Sequence, residues 1–236
     1  MSDELDFVER RGLALGLSLR RRTVFVEGTS DEDLFSLAVR SERAKTGIDL
    51  TSDGLAIIAA GTADDGGVDG VVRVLNGFRF IAPGVLLPNG QQKYRFVGLF
   101  DDDRAGRAAV KRAHEMDKSV VEYRDVFRLR PVMPLHTDRA PSSLQTKFES
   151  ENLPYKGLEW ELEDLLPESF WNAFVSTHPN AVGKLNSSSG KTHRDLTRDG
   201  KAKFHRFVKE NAMHPDLQGV ISTVRALRFY LGMPAL

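Results

Sequence analysis

Four short apolar runs, three of them followed by a segment of helical periodicity, constrain the fold of this chain more than any other feature. They predict strands at 23–26, 55–60, 94–100 and about 126–129. When a helix joins one strand to the next, the second strand runs in the same direction as the first. The sequence therefore predicts an α/β fold with an open, mostly parallel sheet of four strands flanked by helices.

The C-terminal part of the chain is expected to be a helical extension of this core. Apolar residues recur at helical spacing over 201–212 and 217–231. The stretch 180–200 is rich in Ser, Gly, Lys and Asp, a composition typical of mobile loops. We divide the chain into three parts: an α/β core over 1–135, a polar loop or linker over 136–157, and a helical part over 158–236.

Composition excludes several classes of protein. The chain has no cysteine, which rules out a disulfide scaffold and a thiolate metal site. No stretch approaches the ~20 consecutive apolar residues of a membrane span, and the acidic, polar start does not resemble a secretory signal. We therefore expect a cytoplasmic protein without a membrane segment. The 33 basic and 33 acidic residues balance, so net charge alone does not indicate binding to nucleic acid.

Acidic residues stand where two of the predicted strands end. Glu27 follows the first strand, and Asp101 and Asp103 follow the third, while Asp31 lies in the first turn of the next helix. In an open parallel sheet, ligands bind beyond the carboxyl ends of the strands. Clustered carboxylates repel one another and take up protons unless a cation neutralises them. Mg²⁺ prefers oxygen ligands, so the pattern predicts a magnesium site, in which Mn²⁺ is expected to substitute.

Two motifs resemble a known family. VFVEGTSDEDLF, around the first strand, and FVGLFDDDRAGRAA, around the third, resemble the TOPRIM domain of topoisomerases, bacterial primases, recombination proteins and overcoming-lysogenization-defect (OLD) nucleases. The resemblance covers roughly 20–135 and implies a TOPRIM-like, Rossmann-like fold. Three further features resemble the OLD nuclease branch: the spacing of Glu27 and Asp31, the strand LAIIAAG, and the acidic segment LEDLLP at 162–167.

The resemblance implies a site for two magnesium ions. Glu27, Asp101 and Asp103 would hold one ion, with Asp31 and Glu163 nearer the second. Glu161 is the alternative to Glu163 as this ligand, because one residue of register in the alignment of WELEDLL with the family's acidic segment decides between them. In this picture the C-terminal part completes the active site of the core.

The same branch carries a lysine that is thought to stabilise the transition state. Lys201 fits the start of the corresponding helix, since Phe204 then packs inward, and Lys203 is the alternative. His193 and His205 lie near this lysine in the sequence and are candidates to assist it.

Basic residues near the predicted sheet are candidates for contacts with nucleic-acid phosphates. Charge runs that flank strands are more often solvated than bound, so these candidates rest on weaker grounds than the carboxylates. They are Arg104, Arg128 and Arg130.

Taken together, the resemblance implies a metal-dependent endonuclease that cleaves phosphodiester bonds of DNA or RNA through a metal-activated water. A non-catalytic TOPRIM module that binds nucleic acid or a partner is the alternative. Topoisomerase and primase activities are disfavoured, because the chain has neither a separate tyrosine-bearing domain nor a zinc-binding module. Whether the chain forms a homodimer is left open.

One departure from the OLD pattern concerns the ATPase that those proteins carry. The chain has no complete Gly-x-x-x-x-Gly-Lys-Ser/Thr loop, and the tract 187–192, which ends in Gly-Lys-Thr, lacks the first glycine and a preceding strand. We therefore expect either a solitary nuclease or the effector of an anti-phage defence system that works with a separate ABC-type ATPase.

Overall fold

A parallel four-stranded sheet forms the centre of the protein. The computed structural model describes residues 5–61, 66–136 and 138–236. Its central strands are β1 (Arg22–Val26), β2 (Leu55–Ala59), β3 (Arg95–Phe100) and β4 (Val126–Arg128). They lie in the order β2-β1-β3-β4, and every neighbouring pair is parallel. The α/β prediction is confirmed, with strand ends within one residue of those expected.

Helices cover both faces of this sheet. The helices of the described residues are α1 (Phe7–Ala14), α2 (Thr29–Thr46), α3 (Gly67–Ile81), α4 (Arg104–Met116), α5 (Pro141–Asn152), α6 (Glu168–Thr177), α7 (Arg198–Asn211) and α8 (Gln218–Tyr230). None of them is long and apolar enough to cross a membrane. α2, α3 and α4 connect successive strands of the sheet.

The sheet separates two hydrophobic cores, because successive side chains of a strand point to opposite faces. Val24 and Val97 pack into the core that also contains α2 and α8. Phe25 and Phe96 pack into the other core, against α3 and α4. Since both faces are covered, the strands are apolar throughout, which explains why they stand out in the sequence.

The C-terminal part packs on the sheet and corrects three expectations. The segment 136–157, predicted to be a loop or linker, contains α5, which buries Leu144 and Phe148 four residues apart. The Ser/Gly-rich stretch expected to be mobile forms an antiparallel hairpin, β5 (Val182–Ser188) and β6 (Lys191–Leu196). The part over 158–236 is therefore not purely helical. Its helix α8 stacks Tyr230 on Phe127 of β4, with the ring centroids 4.6 Å apart.

Candidate metal and catalytic site

The ends of β1 and β3 bring two carboxylates together. Glu27 is the residue after β1, and Asp101 is the residue after β3. The two strands are adjacent and parallel, so their carboxyl ends meet at one edge of the sheet. There the backbone N–H of Asp101 donates a hydrogen bond to Oε1 of Glu27 at 3.2 Å.

The start of α2 adds a third carboxylate. Asp31 accepts a hydrogen bond on Oδ2 from the backbone N–H of Gly28 at 3.0 Å, which closes the first turn of the helix. Gly28 is the N-cap residue of α2, and Asp31 is its capping acid. The cap holds the Asp31 side chain near the end of β1.

The turn between β3 and α4 is set by a glycine. Oδ1 of Asp103 accepts a hydrogen bond from the N–H of Gly106 at 2.6 Å and so caps α4. A Cβ at Gly106 would overlap the backbone carbonyl of Asp101. Only glycine allows α4 to begin this close to the strand, and the sharp turn keeps Asp101 and Asp103 at the edge of the sheet.

Asp102, between these two acids, belongs to a different cluster. It is 1% exposed and forms ion pairs with Arg107, Arg128 and Arg130. Arg128 donates from Nη1 to Oδ1 of Asp102 at 2.8 Å and from Nε to Glu122 at 2.6 Å. We call Asp102 and its three arginines the arginine cluster.

This cluster bears on the arginines that were expected to contact nucleic acid. Arg128 and Arg130 are largely buried and use their guanidinium groups inside the protein, so the prediction that they track phosphates receives no support from their placement. Arg104, by contrast, is exposed at the first residue of α4. The sequence could not distinguish Arg104 from these two arginines, because Asp102, with which they pair, lies between Asp101 and Asp103 in the acidic motif.

The acidic segment after the sheet contributes both of the glutamates that competed for one role. A 3-10 helix, Leu162–Leu165, turns its Leu162 into the core. Oε2 of Glu161 accepts a hydrogen bond from Nζ of Lys201 at 3.0 Å. Glu163 lines a cleft together with Asp31 and Lys201. The structure thus brings both glutamates to the site, in different positions.

The start of α7 distinguishes between the two lysines. A Cβ at Gly200 would overlap the carbonyl of Ala181, so the helix begins tightly against the hairpin. Phe204 is buried and stacks on Trp171 at 4.1 Å, which orients the helix with Lys201 toward the carboxylates. Lys203 instead pairs with Asp199 on the same helix, at 2.5 Å.

The two candidate histidines have different surroundings. His193 is buried, and its Nδ1 lies 2.7 Å from Oδ2 of Asp164. Burial lowers the pKa of His193, but the hydrogen bond and the charge of Asp164 outweigh it, so the net shift is upward. His205 lines the same cleft as Lys201, one helical turn further along α7.

Burial and mutual repulsion dominate the electrostatics of the carboxylates. Burial raises the pKa of Glu27 to about 7, with further contributions from the charges of Asp31 and Asp103. Burial also raises the pKa of Asp101 well above its ordinary value, and the charges of Asp31 and Glu27 add to this. The pKa of Glu163 rises to about 7, again through burial and the neighbouring carboxylates.

Lys201 is the basic counterpart of these acids. Burial lowers its pKa, but the charges of Glu163 and Glu161 outweigh burial and raise it overall, so the ammonium group stays protonated. We call Glu27, Asp31, Asp101, Asp103, Glu161, Glu163 and Lys201 the carboxylate cluster. One lysine does not neutralise six acids, so the cluster carries an excess of negative charge.

This arrangement matches the donor chemistry of a hard divalent cation, although the ligands are not yet gathered around one point. All the acids offer oxygen, which Mg²⁺ prefers. Within 5–61, 66–136 and 138–236, however, no three acidic or histidine side chains already form a metal-binding group. Glu27, Asp31 and Asp103 each accept a backbone hydrogen bond. Each of these bonds uses one carboxylate oxygen, so the second oxygen of each side chain stays available to a cation.

The Gly-Lys-Thr tract has no phosphate-binding geometry of the P-loop kind. It lies at the turn of the hairpin, where Ser188 pairs with Lys191 across two antiparallel strands. A P-loop requires a turn from a strand into a helix, whose N-terminus faces the phosphates.

Comparisons with known proteins provide no relative for this chain. No protein-family model matches it, and neither a curated protein nor a solved structure shows significant similarity.

Proposed function

We propose that this protein is a Mg²⁺-dependent endonuclease of the TOPRIM type, which hydrolyses phosphodiester bonds in DNA or RNA. The observation that carries the proposal is the convergence of carboxylates from β1, α2, β3 and the 3-10 helix with Lys201 at the carboxyl edge of a parallel sheet. Burial at this edge destabilises the charged carboxylates, and a cation would relieve that cost.

Each acid has a defined place in this proposal. Glu27, Asp101 and Asp103, at the strand ends, would hold one ion, and Asp31 and Glu163, which share the adjoining cleft, would hold the second. When bound, the ions would activate a water and stabilise negative charge on the phosphoryl group. Mn²⁺ is proposed to substitute for Mg²⁺.

Lys201 supplies a positive charge that is independent of the metal. Its Nζ is held by Glu161 at 3.0 Å, and its raised pKa keeps it protonated at neutral pH. In the proposed reaction it meets the charge that develops on the phosphate in the transition state. Glu161 then acts as a positioning residue, because it orients the lysine.

The proposal extends to partners. It includes the nucleic acid itself and a separate ABC-type ATPase, with the chain acting in the cytoplasm as the effector of an anti-phage defence system. The support is the resemblance of the two acidic motifs to the OLD branch, whose members work with an ATPase. The Gly-Lys-Thr tract of this chain, at the turn of a hairpin, does not have the geometry of such a nucleotide site.

A cleavage assay tests the proposal. Supercoiled plasmid, linear duplex, single-stranded DNA and tRNA are incubated with the protein in Mg²⁺, Mn²⁺ or EDTA, beside Glu27→Gln and Asp101→Asn. We expect metal-dependent cutting that both variants lose. Glu210→Gln, an exposed glutamate on α7, is the matched control and should cut like the wild type.

The opposite outcomes have defined meanings. Equal cutting by the wild type and both variants would show that the metal site is assigned to the wrong residues. If the folded wild type cuts nothing, calorimetric titration with Mn²⁺ decides. Binding that is lost in Glu27→Gln would point to a missing activating partner, whereas no binding would favour the non-catalytic module.

A further inference from the structure

A cleft opens directly beside the carboxylate cluster, between the start of α2, the 3-10 helix and the first turns of α7. We call it the α2–α7 cleft. It has a volume of about 230 Å³ and shares Asp31, Glu163 and Lys201 with the cluster. The rest of the cleft is not used by the proposed chemistry, which leaves open what it accommodates.

One side of the cleft is apolar and firmly held. Leu34, Leu162 and Val208 line it, and all three belong to the main hydrophobic core. Phe204 also lines it and is fixed by its stacking on Trp171. Such a wall favours a flat apolar group, because water in contact with it is released on binding.

The size and charge of the cleft limit its occupant. Pockets for drug-sized ligands measure roughly 300–1,000 Å³, so about 230 Å³ suits a smaller group, such as a single nucleobase, and excludes a base pair. In the metal-free protein, the carboxylates of Asp31 and Glu163 outnumber the ammonium group of Lys201 in the cleft, so a phosphate group there would be repelled. A base is neutral and avoids this repulsion.

His205 provides a polar contact at the rim. Its Nε2 is buried and makes no hydrogen bond within the described part of the chain, although Oδ2 of Asp33 lies 3.4 Å away. Burial lowers the pKa of His205, and the charge of Lys209 lowers it further, so the ring is neutral at physiological pH. A neutral imidazole offers one donor and one acceptor, which can pair with the edge of a base.

We propose that the α2–α7 cleft binds one unpaired nucleobase next to the scissile phosphate, so that the preferred substrate is single-stranded nucleic acid. This inference rests on the proposed nuclease function and specifies its substrate. In a duplex, the base would first have to leave its stack and its partner, at a cost in free energy. In a single strand that cost is small, and the apolar wall replaces part of the stacking.

The test fills the cleft from its rim. Ala202 is exposed and lines the cleft, so Ala202→Trp places a large ring there without disturbing the core. Asn211→Trp puts the same ring at an exposed position in the last turn of α7, outside the residues that line the cleft, and is the matched control. His205→Ala is a second variant, which removes the polar contact without filling the cleft.

Two readouts are used, so that binding is measured apart from cleavage. Binding of a fluorescent 12-nucleotide single strand is followed by anisotropy in EDTA. Cleavage of the same strand and of its duplex is measured in Mg²⁺. We expect Ala202→Trp to weaken binding and cleavage of the single strand by about 10-fold, in line with the loss of one stacked base. Asn211→Trp should remain within about 2-fold of the wild type on that scale.

An abasic nucleotide locates the base. When the abasic nucleotide is placed at successive positions of the strand, cleavage by the wild type should be slow for only one of these positions, counted from the cut. With the abasic nucleotide there, Ala202→Trp should cause no further loss, because the group that it displaces is already missing.

The results separate the two proposals. If the wild type cuts duplex as fast as single strand and Ala202→Trp behaves like Asn211→Trp, the cleft proposal is wrong while the nuclease stands. If the wild type cuts nothing, the Mn²⁺ titration described above decides about the nuclease, and the anisotropy data decide separately about the cleft. Equal binding by the wild type and both cleft variants would then overturn it.

Discussion

Asp101 and Asp102 are neighbours in one turn, yet they face opposite environments. Asp102 is 1% exposed and is surrounded by Arg107, Arg128 and Arg130. Asp101 lies among Glu27, Asp31 and other acids, and burial raises its pKa well above the ordinary range, with these neighbouring charges adding to the shift. The charge of Asp102 is thus compensated by arginines of the protein itself, whereas the carboxylate cluster keeps an excess of negative charge.

The difference separates a structural role from a functional one. An ion pair between a buried carboxylate and basic side chains of the protein is costly to break, but it does not require a bound ligand. Buried carboxylates that repel one another destabilise the folded protein, and a bound cation can remove this repulsion. Groups whose pKa is perturbed in this way are concentrated at functional sites. The following predictions test this contrast, starting with the largest expected effect.

Asp102→Asn should destabilise the fold by about 3–5 kcal/mol, because it leaves buried arginines without their counter-charge. The free energy of unfolding is measured by urea titration. Asp199→Asn, at an exposed aspartate on α7, is the control and should change stability by less than about 0.5 kcal/mol. A loss for Asp102→Asn no larger than that of the control would show that the arginine cluster is not structural.

Asp101→Asn should have the opposite effect: a large loss of activity without a loss of stability. We expect cleavage to fall by about 100-fold, because a proposed metal ligand is lost, while the metal-free protein keeps or gains stability as one source of repulsion disappears. Initial cleavage rates and urea unfolding in EDTA are compared on the same preparation. A variant that is unfolded, or one that is fully active, would contradict the contrast with Asp102.

Metal addition should stabilise the wild type specifically through the carboxylate cluster. At about 100 times its dissociation constant, Mn²⁺ should raise the free energy of unfolding by about 2.7 kcal/mol. Glu27→Gln should lose this gain, while Glu122→Gln, which removes a carboxylate that pairs with Arg128 of the arginine cluster, should retain it. Equal metal effects on the two variants would show that the ion binds elsewhere.

The pH dependence of the metal-free protein should be the smallest effect, on the order of 1 kcal/mol per group once screening by water is included. The folded-state pKa of Glu27 is about 7, above its ordinary value of 4.5, so the folded state holds this proton more tightly. Its contribution to stability is present below about pH 4.5 and is lost as pH rises through 7. Glu163 should behave likewise.

Urea unfolding in EDTA at pH 5 and pH 8 measures this effect. The wild type should be less stable at pH 8, and Glu27→Gln should show a smaller difference, because glutamine does not titrate. A wild type that is more stable at pH 8 would mean that other groups control the pH dependence.

Sequence reasoning worked best where local pattern and burial agree. The strands of the central sheet are buried on both faces and read as continuous apolar runs, so their positions could be predicted to within a residue. The parallel direction of the strands predicted that Glu27 and Asp101 lie at the same edge of the sheet, but their contact also depends on β1 and β3 being neighbours, which only the structure showed.

Elements with weak local signals were missed. The hairpin β5–β6 carries mostly polar residues, and its strand β5 is largely exposed, so no alternation marked it. α5 has few apolar residues, and Leu144 and Phe148 form too short a stripe to outweigh its polar composition. In both cases tertiary contacts, rather than local propensity, stabilise the element.

By itself, the sequence determined the order of strands and helices, the parallel sheet and the edge at which the acids gather, because these depend on periodicity and on chain direction. Only the tertiary structure decided which side each charge faces. In the structure, Asp102 faces three arginines, whereas Asp101 faces other acids. Lys201 rather than Lys203 lines the cleft, and both Glu161 and Glu163 reach the site. The reason is that the energy of a buried charge depends on its spatial neighbours. Glu27, for example, lies 74 positions from Asp101 in the chain, so the local sequence around Asp101 carries no sign of it.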